Sequence, residues 1–535
     1  MIVKRNKKMN EPIVDYVIIG GGAAGLATAA LLEKKQLSYR LFEQHHFFGG
    51  QSSYFTHQGY TFDVGATTLS GFQDENYQNQ HFHGPLARFC RTINLEIDKK
   101  QMHPGLITHF NNMEWRHSFN HEVIRENLKQ MMQGHGINCS HDREVKIQKA
   151  IIHFLSIQKM LSTRSYFSVD QYLLPIHHFS PFLNNSLSAW KKNLALLELF
   201  PLLFKSYRAY SDAAFVDFNS DEEIIIKEML LTIFRELLLI TAQNSPEQTP
   251  ALMGILGVTY PDNTYYPMGG MKGFVKSLEK KCSHLYAREQ VLKLSFIHRG
   301  KFKGYNVTTN KRSIFARNII STLPENNNRE LLSLKLRDDS ALYSAFTLYF
   351  TIPNTKRQDL YHQVITKRAL INDAQSYFVS FSHPEDFQRS PAIETKQGQK
   401  QQYTERQTVT ISIHIPCDEF PFEIHEQNKE AYESKKAALA DIILNDFTQV
   451  FDLSRSDIGH LKTGTNKTFR DYTLRHLGSV GGLGHDLKTS LLEKVYHPKI
   501  APHFYQIGDQ HFPGQGVASV IKGAMNLVDQ LIDPH

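Results

Sequence analysis

Val14-Asp15-Tyr16-Val17-Ile18-Ile19 runs without a break into Gly20-Gly21-Gly22-Ala23-Ala24-Gly25. The first six residues form a short, mostly apolar and β-branched run, the pattern of a buried parallel strand. Leu26 to Lys35 follows with the Ala- and Leu-rich composition of a helix, and Ser38 to Glu43 reads as a second strand that ends in an acid. Strand, glycine turn, helix and acid-tipped strand together make a dinucleotide-binding unit. Each position has a physical task. Gly20 makes the tight turn, Gly22 lets the backbone approach a pyrophosphate, and Gly25 lets the helix pack close to the strand. The helix N-terminus offers free N–H groups and the positive end of its dipole to phosphate. Glu43 is placed to accept hydrogen bonds from a ribose.

This unit alone does not distinguish NAD from FAD; the next segment does. Phe48-Gly49-Gly50-Gln51-Ser52-Ser53 follows the acid, and then comes Gly59-Tyr60-Thr61-Phe62-Asp63-Val64-Gly65-Ala66-Thr67-Thr68. Here the sequence resembles the FAD-containing amine oxidase and phytoene desaturase superfamily, most of all its carotenoid isomerase and retinol saturase branch. The resemblance implies that the double glycine passes under the FAD phosphates and ribityl chain, and that the second segment leads toward the flavin. Many members carry Arg after the double glycine. This chain has Gln51, so a charged contact to the pyrophosphate is not carried over to that position.

The other end of the chain agrees. Phe504 to Gly508 reads as a strand, Asp509-Gln510-His511-Phe512-Pro513-Gly514-Gln515-Gly516-Val517 follows, and Ala518 to Ile532 reads as a closing helix. This resembles the C-terminal FAD motif of the same superfamily. By that resemblance Asp509 meets the ribityl or phosphate region, while Gly516 and Val517 lie at a helix N-terminus near the flavin pyrimidine. Such a dipole stabilises negative charge on reduced flavin. In the middle, Tyr265 to Met271 precedes a helix over Gly273 to Cys282, with strands at Val291 to Phe296 and Arg317 to Thr322. Leu323-Pro324 ends the returning strand near the cofactor, and Val291 contacts the adenine end through its backbone, again by resemblance.

The expected FAD-binding residues are therefore Gly20, Gly22, Ala23, Ala24, Gly25, Glu43, Gln44, Gly49, Gly50, Gln51, Ser52, Gly65, Ala66, Thr67, Val291, Gly508, Asp509, Gly516 and Val517. Tyr472 and Phe512 are expected in the substrate cavity. No catalytic acid or base is assigned. His511 is the candidate for proton work, because an unperturbed imidazole titrates near neutrality; its alternative is to line the FAD site.

The expected fold class is α/β: a discontinuous, glutathione-reductase-type FAD-binding (Rossmann-like) domain with an inserted mixed α/β substrate domain. The FAD domain takes residues 12–75, 265–340 and 490–535. The substrate domain takes 76–264, mainly helical, and 341–489, an antiparallel sheet plus a helix. Helical spacing marks Glu144 to Leu161, Leu194 to Tyr210, Asp221 to Thr241 and Tyr432 to Phe451. Alternating, β-rich runs mark Tyr343 to Ile352, Tyr377 to Ser382 and Thr408 to Ile415. Thr395 to Gln407 reads as an exposed loop.

At 535 residues the chain exceeds one hydrophobic core, and 41% apolar with 21% charged residues is an ordinary globular balance. The net charge of +7 is spread out, which gives nucleic-acid binding little support. Cys90, Cys139, Cys282 and Cys417 lack CxxC spacing, so a reduced, cytoplasmic setting is expected. The basic N-terminus and apolar Tyr16 to Leu32 have the outline of a secretory signal, but Asp15 and the triple glycine fit the nucleotide unit instead. Trp190 to Lys192, followed by an apolar run to Phe204, is read either as a core helix or cavity wall, or as an interfacial helix in peripheral contact with a membrane. His81 and His83 form an HxH pair with no further ligand in zinc-site spacing, so no metal is expected.

Three functions follow in order: an FAD oxidoreductase acting on an apolar polyene or isoprenoid by desaturation, saturation or cis–trans isomerisation; an FAD-dependent amine oxidase; or a flavin-free lipid carrier of the same architecture. The first needs an apolar small-molecule substrate, the second an aromatic cage and a polar cavity.

Overall fold

The computed structural model describes residues 13–77, 80–172, 199–300, 302–337, 343–371, 374–391, 403–488 and 500–532. Strand β1 (Ile13–Ile19), helix α1 (Ala23–Lys34) and strand β2 (Tyr39–Phe42) form at the chain start as the sequence reading expects. β1 pairs in parallel with β2 on one side and with Ser313–Ser321 on the other. Phe504–Gln506 adds in parallel to Ser313–Ser321, and Leu285–Tyr286 in parallel to β2. Phe302–Thr309 and Val291–Arg299 continue the sheet antiparallel. Three separate stretches of chain thus close one seven-stranded sheet among the described residues.

α1 and the closing helix Val517–Ile532 pack together against this sheet. α1 is buried over nearly its whole length and carries no amphipathic stripe, because sheet and helices enclose it. The chain stays with this core beyond residue 75, the expected boundary. Leu86, Phe89 and Ile93, on and just after helix Pro85–Thr92, are buried with α1 and the closing helix.

The second sheet is also seven-stranded, in the order Gly459–Gly464, Tyr343–Pro353, Arg406–Pro416, Ser376–Phe381, Tyr361–Ile365, Ile107–Phe110 and Met113–Arg116. The segment expected to be mainly helical therefore supplies two strands, Ile107–Phe110 joining parallel to Tyr361–Ile365. Both strands are short, so neither shows enough alternation to be read from the sequence. Helix Asp221–Thr241 forms with the expected bounds, started by a capping box of Ser220 and Glu223. The expected helix Leu194 to Tyr210 is not continuous in its described part. Pro201 sits in a short 3₁₀ turn, Phe200–Leu203, and a helix restarts at Tyr207–Ala214. Trp190 to Lys192 and most of the loop at Thr395 to Gln407 lie outside the described residues, while Gln407 itself is a buried strand residue. No helix among the described residues is long and apolar enough to cross a membrane.

Four imidazoles are buried or half-buried in and beside the second sheet. His109 Nε2 and His362 Nδ1 are 3.0 Å apart, and His117 Nε2 meets Thr108 Oγ1 at 2.9 Å. Burial pushes His117 down to about 3 and His109 and His414 down to about 4; burial, then His109, pushes His362 below its ordinary value. All four are neutral when folded at pH 7. The unfolded chain binds protons below about pH 6.5, so stability is full above that and falls as pH drops toward 4. Tm is expected to fall steadily from pH 6.5 to 4.5, and less steeply in His117→Gln. An equal slope in the two proteins contradicts the assignment to this imidazole.

Candidate cofactor and substrate site

A cavity of about 1000 Å³ opens where the two sheets and the helical segment meet. One end is walled by the β1–α1 turn, the Gly49–Ser52 turn and the start of the closing helix. α1 begins at Gly22 with no side-chain cap, so its first-turn N–H groups are not satisfied by a capping side chain and face the cavity end. Gly49 N–H donates to Gly21 O (2.8 Å), which presses the double glycine onto the α1 N-terminus. Glu43 stands at the β2 end. Its Oε2 accepts from Gly21 N–H (2.7 Å) and its Oε1 from His45 N–H (2.8 Å). Burial raises the Glu43 carboxyl, and the backbone N–H groups oppose it. Each oxygen keeps a lone pair for a further donor.

The opposite end is different. Leu106, Leu237, Ile240, Met253, Leu256 and Phe378 make it apolar, with a hydroxyl cluster set into it. Tyr260 Oη and Thr68 Oγ1 are 2.6 Å apart, and Tyr166 also lines this wall. Among the described lining residues the carboxylates are Glu43 and Asp509 alone.

A profile described as an NAD(P)-binding Rossmann-like domain matches residues 18–83. Over 531 residues the chain is 25% identical to the chloroplastic prolycopene isomerase of Daucus carota, covering 95% of this chain and 78% of the relative. With the chloroplastic prolycopene isomerase of Arabidopsis thaliana identity is 24%, covering 95% and 81%. Among solved structures, an oxidoreductase from Methanosarcina mazei superposes with a TM-score of 0.56 at 14% identity, over 96% of this chain and 100% of the other. Putrescine oxidase bound to putrescine gives 0.56 at 12% identity, over 97% and 99%. The chain is thus similar over nearly its whole length to prolycopene isomerases, and it shares its fold with putrescine oxidase.

The cavity end fits FAD. A Cβ at Gly22 would meet nothing closer than 3.9 Å, so the space before it is open for a diphosphate at the uncapped helix end. Bound there, FAD would set its diphosphate against Ala23 and Ala24, its ribose against Glu43, and its flavin toward Gly516 and Val517. Most of the expected FAD-binding residues line this end, including Gly20, Gly50, Ser52, Gly65, Ala66, Thr67, Gly508 and Asp509. Gly25 acts from behind the wall: a Cβ there would lie 2.0 Å from Gly20 O, so its absence is what lets α1 approach the turn. Gln51 lines the wall but is spent on structure, its amide holding Ser479 O (2.7 Å) and Gly481 N–H (3.1 Å).

Three expected positions differ. Val291 is not among the lining residues; it packs in the core with Phe42, and the backbone against Glu43 and His45 is that of Glu289 and Arg288. Gln44 is also off the wall, its Nε2 reaching Tyr472 O at 3.3 Å. Tyr472 lines the cavity and is 60% exposed, its ring 5.8 Å from that of His45. His511 is 4% exposed and off the wall. Its N–H bonds back to Gly508 O (3.2 Å), and this turn carries His511 and Gln510 away from the cavity, Gln510 Oε1 accepting from Glu325 N–H. Phe512, the next residue, does line the cavity.

The sequence reading missed Arg475, Tyr260 and Tyr166. Each is a single side chain brought to the wall by the packing of separate elements. It also missed that Asp74, opposite His83 in a short hairpin, joins His81 and His83 within 4.8 Å. Arg91 contacts both Asp74 and His83, so a guanidinium already stands on that patch.

Proposed function

We propose that this chain is an FAD-dependent enzyme that acts on an apolar polyene or isoprenoid, by desaturation, saturation or cis–trans isomerisation. The observation that carries the reading is the far lobe of the cavity: aliphatic and aromatic, with no carboxylate among its described lining residues. An ammonium substrate would lose its hydration there with no counter-charge. A hydrocarbon chain gains by burial at about 25 cal/mol per Å². The kinship to prolycopene isomerases supports the same choice. Bound FAD supplies the two-electron chemistry. The chain's own part is to hold the reacting carbons against the flavin and to keep water out. The same reading carries a cytoplasmic enzyme in peripheral contact with a membrane and no nucleic-acid partner. The exposed Phe200, Phe204 and Val216 offer an apolar surface for that contact.

The test is anaerobic incubation of the yellow protein, oxidised or dithionite-reduced, with polyenes and with primary amines. Flavin bleaching by a polyene, or a changed double-bond geometry or count in the product, is expected. Bleaching by amines, with every polyene recovered unchanged, overturns the proposal in favour of an amine oxidase.

A further inference from the structure

We infer that Arg475 binds the cofactor directly, as the cation facing the diphosphate of FAD. The inference rests on FAD as the cofactor and not on the choice of substrate.

FAD brings two phosphate charges into a site that already holds two carboxylates, Glu43 and Asp509. The Gly49–Ser52 turn carries no cation, since Gln51 is neutral and both ends of its amide are engaged by the 479–481 backbone. That engagement itself brings a cation in. Arg475 Nη2 donates to Gly481 O (2.8 Å), the same residue whose N–H bonds Gln51. From the α1 N-terminus to the double glycine, to Gln51, to Gly481 and to Arg475, each link is a direct contact. The guanidinium lines the same cavity as the uncapped helix end.

Its bonding is incomplete. The side chain is 10% exposed, and Nη1 pairs with Asp509 at 3.0 Å. Nε is buried and has no partner among the described residues. A guanidinium has five N–H donors in a fixed fork, and a buried donor without an acceptor costs free energy. A phosphate oxygen supplies that acceptor and a charge-assisted bond. Asp509 neutralises the cation and holds its plane, and so prepares it for the anion.

The experiment measures FAD affinity by fluorescence quenching on titrating the deflavinated, full-length chain. Riboflavin, which lacks the diphosphate, is titrated in parallel. Arg475→Gln is expected to weaken FAD by about tenfold to a hundredfold and to leave riboflavin within about twofold, with Arg475→Lys in between. Asp509→Asn and the Arg475→Gln/Asp509→Asn double variant guard against a fold defect from an unpaired buried carboxylate. The double variant is expected to bind FAD more weakly than Asp509→Asn by the same factor. Equal losses for FAD and riboflavin, or a double variant that matches Asp509→Asn, overturn the inference and leave Arg475 as a neutraliser of Asp509.

Discussion

Gly25→Val is expected to give a colourless protein that is destabilised by about 3 kcal/mol or more. The first added carbon would lie 2.0 Å from Gly20 O and 3.1 Å from Gly20 C, both backbone atoms of the turn. Neither can move without breaking Gly20 N–H to Phe42 O (2.9 Å) or the β1–β2 pairing beside it. The helix must instead lift from the sheet, and its N-terminus then leaves the cavity. Gly22→Val separates the two tasks of this turn. Its Cβ would meet nothing closer than Gly49 O at 3.9 Å, so the fold is expected to survive while the side chain occupies the place of the diphosphate. Thermal denaturation with and without added FAD checks both variants. Excess FAD is expected to raise Tm in the parent by mass action and to leave Gly22→Val unmoved. A Gly22→Val protein that is as yellow and as FAD-stabilised as the parent would place the diphosphate elsewhere.

The contrast between these glycines also shows what a sequence can disclose. The β1–α1–β2 unit is local: its turn, helix and acid contact one another within some thirty residues, so spacing alone determines their geometry. The closing motif is read for the same reason, since Gly516 and helix Val517–Ile532 are adjacent in the chain. Arg475 and Tyr260 are different. Each owes its place to a contact between elements far apart in sequence, such as Gln51 on Gly481 or Tyr260 on Thr68. No periodicity encodes such a meeting. His511 fails in the opposite sense, for a motif gives the position of a backbone turn but not the side from which each side chain leaves it. The two strands Ile107–Phe110 and Met113–Arg116 were hidden because four residues hold too little alternation to be told from a loop.

Arg389→Met is expected to cost about 3–5 kcal/mol and to loosen FAD as well, because it strands Asp63 in the interior. Asp63 belongs to the segment that leads to the flavin, and it is 1% exposed; Arg389, from the inserted domain, is 4% exposed. Arg389 Nη1 meets Asp63 Oδ2 at 2.8 Å, and Arg389 Nε meets Thr61 O at 3.1 Å. The other carboxylate oxygen accepts from Met271 N–H at the start of helix Gly270–Glu279 (2.8 Å). One ion pair therefore joins the flavin-leading strand, the returning helix and the second sheet's loop. Removing the guanidinium leaves a buried carboxylate held by one N–H, which must take up a proton or draw in water. Asp63→Asn/Arg389→Met removes both charges and keeps a polar partner for Met271 N–H. If the pair's value lies in charge compensation, the double variant recovers more than half of the lost stability, since two absent charges cost less than one stranded charge. FAD affinity separates this from positioning. Gly65, Ala66 and Thr67 line the cavity just beyond Asp63, and they are expected to stay misplaced in the double variant, leaving FAD several-fold weaker although Tm has returned. Recovery of stability and FAD affinity together would mean that the pair merely balances charge. Recovery of neither would mean that the hydrogen bond to Thr61, not the ion pair, holds the domains in register.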